Sequence, residues 1–165
     1  MTEYQTVFGS LRDFDKGHIE IINDKPMHYA FSNVFEVASN SAPYEKVAVA
    51  KNLENVIEAV RIEGDSPWYT NAHDEFAIVM DGEVEVHVYK AVDGEKIDEE
   101  KEGTHLAEGE PKGPKMGMAV LKRGHQCIMP KGCVYQFRAR EVGALIQQTI
   151  QGPLTVEKWA EICYT

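Results

Sequence analysis

At 165 residues, 43% of them hydrophobic and 27% charged, the chain has the length of about one domain, enough to bury roughly 70% of its unfolded surface without a disulfide or structural metal. A formal net charge of -10 and a pI near 5.0 describe a surface that repels phosphate backbones and anionic headgroups. No Lys/Arg cluster with interleaved aromatics offsets that field, so nucleic acid and membrane are excluded as partners.

The opening "MTEYQTVFGSLRDFDKG" lacks the basic region and apolar core of a signal peptide, and no apolar run reaches the roughly 18 residues of a membrane span. A cytoplasmic protein is expected. Residues 1–45 mix aromatic and polar positions without a clean period, which predicts an irregular arm packed on the barrel or on a partner, with strand-like pieces such as Val34 to Val37. From residue 46 to 165 the pattern sharpens into one β domain. The run "VAVAKN" is followed by "NVIEAVRIEG" (55–64), which reads as a helical turn or as a strand ending at Gly64, with strand favoured.

Two β-rich runs then flank Asp81-Gly82 in "FAIVMDGEVEVHVY", the pattern of an antiparallel hairpin closed by a type I′ turn. In the second run Val84, Val86 and Val88 alternate with Glu83, Glu85 and His87, which predicts one buried and one solvated face. Residues 92–117, rich in Glu, Gly and Pro, read as a long acidic solvated loop. Strand patterning resumes in "MAVLKRG" (118–124), "HQCIMPKG" (125–132), "VYQFRA" (134–139) and "GALIQQTI" (143–150). The chain closes on "GPLTVEKWAEICYT", where Thr155 is placed to cap a short helix carrying Trp159 and Ile162 on one face. Many short strands separated by turns, with a lone terminal helix, predict an all-β barrel or sandwich. Cys127, Cys133 and Cys163 are odd in number and outside any CxxC pattern, so buried free thiols are expected.

The second half carries Gly124, Pro130 and Gly132 at the spacing of the second motif of the cupin superfamily, a small double-stranded β barrel or jelly roll, which this sequence resembles. Tyr135 stands where that motif places a metal-binding histidine, and Ala139 where it places an asparagine. In the first motif Glu75 and Gly82 match, while Tyr69 and Asn71 occupy the two histidine positions and Gly64 is one residue too close. The scaffold residues are kept and the ligands are not. A vestigial site of Tyr69, Asn71, Glu75 and Tyr135 is therefore expected to bind no metal, because an iron(II) oxygenase needs three or four imidazole and carboxylate donors converging on one ion.

A rival ligand set joins His73, which shares a strand face with Asn71 and Glu75, to His125. Asn71, His73, Glu75 and His125 would then serve a self-sufficient, homo-oligomeric cupin metalloenzyme. A blander alternative is a cupin binding module in which Tyr69, Tyr135 and Phe137 only line or fill the barrel. His87 and His105 are expected to be solvated, and His18 and His28 are assigned no role.

Over most of its length, from "YAFSNVFEVASNSAPYEKVAVAKN" through "AHDEFAIVMDGEVEVHVYK" and "MPKG…YQFRA" to "VEKWAEICYT", the chain also resembles the small subunit of two-subunit hydroquinone 1,2-dioxygenases. That resemblance implies a heterotetramer-forming, iron(II)-dependent oxidoreductase that cleaves hydroquinone with dioxygen to 4-hydroxymuconic semialdehyde, in the degradation of aromatic compounds. It places the iron in a cupin domain of the large partner subunit, and makes this chain catalytic only together with that subunit.

Overall fold

The computed structural model describes residues 9–15, 19–21, 23, 25, 28–31 and 33–158. Near the start, β1 (Ile19–Ile21) and β2 (His28–Phe31) pair antiparallel, and β2 joins the edge of β3 (Lys46–Asn52). Between them the segment expected to be strand-like, Val34 to Val37, is instead the first turn of helix α1 (Val34–Asn40). The physical cause is a cap: the Asn33 side chain accepts hydrogen bonds from the backbone N–H groups of Phe35 and Glu36, satisfying two donors that a helix start leaves open. Val37 of this helix packs on Val47, Val49 and Ala59 of the sheet.

The spine of the barrel is β11 (Cys133–Ile150), 18 residues long and bent near Arg140 to Val142. Its second half lies beside β4 (Asn55–Asp65), so "NVIEAVRIEG" is a strand as favoured from the sequence. On the other side of β11 run β6 (Glu75–Asp81) and β7 (Glu83–Lys90), and here the expected hairpin is not formed. Both pair antiparallel with β11, β6 with Ala144 to Gln148 and β7 with Cys133 to Arg138, so they are successive halves of one bent strand. Gly82 makes the corner with φ +80°, and a Cβ there would sit 3.0 Å from the Cα of Gly143 on β11. Of the Asp-Gly pair only Gly82 takes the positive φ that a type I′ turn requires of both, and the long partner strand makes the corner a bend rather than a reversal.

The same geometry repeats one strand outward, where β9 (Lys115–Lys122) pairs with β7 and β10 (Gln126–Met129) pairs with β6. The bends fold this array into two facing halves, the jelly roll that the cupin-like motifs predict. Val60, Val79, Met129 and Leu145 of one half meet Val86 and Phe137 of the other in the core.

The acidic loop is not solvated throughout. Within it β8 (Thr104–Leu106) pairs with β5 (Tyr69–Asn71), and Gly103 and Thr104 are buried, because Gly103 packs directly on the backbone of Gly152. Thr155 does not cap a helix at this point: it lies in β12 (Thr155–Val156), parallel to Lys46 and Val47, while Trp159 and Ile162 fall outside the described residues, as do His18 and Cys163. Cys133 is buried and Cys127 half-buried, both as free thiols. Among the described residues no helix is long and apolar enough to cross a membrane.

Candidate functional site

Glu75 opens β6 at the point where the two halves of the barrel converge, and its side chain is 1% exposed. Both carboxyl oxygens are engaged. Oε2 accepts from the Tyr135 hydroxyl at 2.5 Å and from the Asn71 amide at 3.3 Å. Oε1 accepts from the hydroxyls of Thr104 and, at 2.8 Å, Thr149. These donors come from β11, β5 and β8, so the carboxyl ties both halves of the barrel together. The Asn71 amide also donates to the Met129 carbonyl at 3.0 Å, which fixes its orientation.

Behind this cluster lies a second layer that sequence reasoning missed. Gln147, fully buried, donates to the Tyr135 hydroxyl at 3.1 Å and to Thr104 Oγ1 at 3.2 Å, while its oxygen accepts from Lys46 Nζ at 2.6 Å. Lys46 lies 3.9 Å from Glu58 Oε2 and 4.8 Å from the centre of the Tyr69 ring, and Thr155 donates to Glu58 Oε1 at 2.7 Å. Burial, opposed by Lys46, pushes the Glu58 carboxyl up to about 6. The signal for these residues was present: Val56, Glu58 and Val60 share the buried face of β4, and Leu145, Gln147 and Thr149 that of β11, so Glu58 and Gln147 stand at inward positions of strands with period two.

The expected quartet of Tyr69, Asn71, Glu75 and Tyr135 is brought together, with the Tyr69 and Tyr135 ring centres 5.5 Å apart. The rival ligand set is not assembled. His73 points its Nε2 to Thr149 Oγ1 at 3.0 Å, one hydroxyl away from Glu75. His125 sits in the turn before β10, its carbonyl bonded to Val79, so it lies four residues along β6 from Glu75, about 13 Å away at strand rise. His87, expected on a solvated face, is 8% exposed on β7, which lies between β9 and β11, and its Nε2–H donates to Glu85 Oε2 at 2.8 Å.

These residues do not fit an iron ion. Among the described residues no three His, Cys, Asp or Glu side chains converge. The one carboxyl at the centre already has four donors, and burial beside Glu75 holds the Tyr135 phenol well above its usual range, so that it stays a protonated donor. What the arrangement does chemically is satisfy a buried carboxyl completely, with no solvent-accessible base or nucleophile at its centre.

Two solved structures align with the chain from end to end. Hydroquinone 1,2-dioxygenase PnpCD, in complex with Cd2+ and 4-hydroxybenzonitrile, is 56% identical over 100% of this chain and 99% of the matched one, with a TM-score of 0.84. Hydroquinone 1,2-dioxygenase from Sphingomonas sp. TTNP3, with 4-hydroxybenzoate bound, is 50% identical over 99% of both chains, with a TM-score of 0.86. The chain belongs to the hydroquinone 1,2-dioxygenase family. A different match, in the PnpCD complex with Fe3+, shares the fold alone: 17% identity and a TM-score of 0.58, with 84% of this chain covering 38% of that one. That chain is therefore more than twice as long as this hydroquinone 1,2-dioxygenase family member. No protein-family model matches the chain, and no curated protein does.

Proposed function

We propose that this chain is the small, non-metal-binding subunit of a heteromeric, iron(II)-dependent hydroquinone 1,2-dioxygenase, which cleaves hydroquinone with dioxygen to 4-hydroxymuconic semialdehyde. The observation that carries the reading is the state of Glu75. At the position where a cupin keeps a metal-binding glutamate, this carboxyl is consumed by Tyr135, Thr104, Thr149 and Asn71. A chain that aligns from end to end with solved members of the family, and whose central carboxyl among the described residues is taken up by hydroxyl and amide donors, fits a subunit that supports catalysis performed elsewhere.

Iron then belongs to a large partner subunit, and the longer jelly-roll chain matched in PnpCD supports the existence of such a partner. The contribution of this chain's own residues is to hold a rigid barrel against that subunit and to keep water and stray metal out of its own interior.

The test is metal analysis with size exclusion on the chain purified alone, and again after co-expression with a longer cupin-fold chain of the same family. The expected result is an iron-free solitary chain with no ring cleavage, and an iron-containing complex that consumes hydroquinone. Stoichiometric iron on the solitary chain, or ring cleavage by it, refutes the reading.

A further inference from the structure

The least protected part of the described surface is β9. It pairs with β7 on one side, and among the described residues no second strand pairs with its other side. Seven of its eight residues are exposed, Leu121 being the exception. Met118 and Val120, which share one face by the period of two, are 48% and 44% exposed, Met116 at the bulge beside them is 55% exposed, and Ile128 of the adjoining β10 is 61% exposed. A free edge with a row of exposed apolar side chains is a template on which another chain can add a strand.

Charge decides which partner. The apolar strip is bracketed by Lys115 at one end and by Lys122 and Arg123 at the other, on a chain whose net charge is -10. If a second copy paired with this edge antiparallel and centred, Lys115 of each strand would face Lys122 of the other, and like charges directly opposite destabilise a strand pair. The strip therefore fits a strand with an apolar centre and acidic ends, and not itself.

We propose that the free edge of β9, with Met116, Met118, Val120 and Ile128, is the docking surface for the longer cupin-fold subunit, which adds an acidic-ended strand to this sheet. The inference rests on the subunit reading given above and names where the partner binds. Strand addition supplies main-chain hydrogen bonds, while the methionines adapt to the facing side chains.

The experiment uses the co-expressed complex. Met118→Lys and Val120→Lys replace exposed side chains and cost the solitary chain no core packing, so its melting temperature serves as a folding control. The expected result is that the double variant stays folded but binds the longer chain at least about tenfold more weakly, as for loss of a central apolar anchor. Leu53→Lys, the same change at an exposed residue of the β3–β4 turn, leaves binding intact. Wild-type binding by the double variant overturns the docking site and leaves the subunit reading standing. Failure of the wild-type chain to bind any longer cupin chain removes both. A solitary wild-type chain that dimerises, and loses its dimer in the double variant, assigns the edge to a second copy and also overturns the proposal.

Discussion

Replacing Tyr135 by Phe is the sharpest probe of the filled barrel centre, because it removes one oxygen and leaves the ring in place. The lost hydroxyl donates to Glu75 Oε2 at 2.5 Å, and among the described residues the donor remaining on that oxygen is Asn71 at 3.3 Å. Gln147 loses one acceptor as well but keeps Thr104 Oγ1. With Glu75 1% exposed, water does not take the vacated position, so the cost falls within the range for hydrogen bonds to charged groups, about 2 kcal/mol. For a chain of this length that corresponds to a fall in melting temperature of roughly 4–8 °C, read by thermal unfolding at pH 7 with near-ultraviolet circular dichroism as the check on native packing. The pH dependence has a definite sign. Because the Tyr135 phenol is held well above its usual value of 10.0, the unfolded chain releases that proton first as pH rises past 10, and wild-type stability declines there. The Phe variant lacks that decline, so the gap between the two proteins narrows above pH 10. A melting temperature within about 1 °C of wild type at pH 7 would refute the claim that the hydroxyl holds Glu75.

Three further outcomes follow from the same geometry. Glu58 titrates at about 6 in the folded protein against 4.5 in the reference state, so the native state holds its proton longer and stability falls as pH rises from 4.5 through 6, by about 2 kcal/mol in total; urea midpoints between pH 4.5 and 7 should show that slope in wild type and not in Glu58→Gln. Gly143→Ala places a Cβ 2.5 Å from the Asp81 carbonyl and 2.8 Å from Ile62 Cδ1, and should lower stability by about 1–3 kcal/mol in a chemical denaturation series, whereas Gly64→Ala, with nothing within 4 Å, carries only the strain of its φ of +70°. Burial pushes the thiols of Cys127 and Cys133 up to about 11 and about 12, so both should resist iodoacetamide at pH 8 in the native state and react on unfolding, as mass spectrometry would report.

The fold class was legible because strand periodicity and turn residues are local signals, and because Glu75, Gly82, Gly124, Pro130 and Gly132 keep the spacing that the barrel needs. What failed were inferences that a local signal underdetermines. Asp81-Gly82 marks a positive-φ position in either case, and whether the chain reverses or merely bends is settled by β11, fifty residues further on, which pairs with both flanking runs. Val34 to Val37 looks extended by composition, yet the Asn33 cap and the packing of Val37 on Val47 and Ala59 make it helical. The acidic segment reads as solvated on average, and averaging conceals Thr104, a single hydroxyl carried into the centre by a three-residue strand.

The site was legible by subtraction only. Tyr69, Asn71 and Tyr135 at the motif positions indicate which imidazole donors are missing, but not what stands in their place. The replacement is a set of protons: hydroxyl and amide hydrogens from Tyr135, Thr104, Thr149 and Asn71 converge on the carboxyl that a cation would otherwise neutralise. Such a network is stable only if it is complete, since a buried carboxyl lacking a donor is expensive in a medium of low dielectric constant. Completeness in turn requires Gln147 and Lys46 to orient the donors, which is why an ammonium group lies 2% exposed inside an acidic protein. With the Glu75 carboxyl engaged in this way, the apolar, basic-ended edge of β9 is the part of the described surface least suited to water.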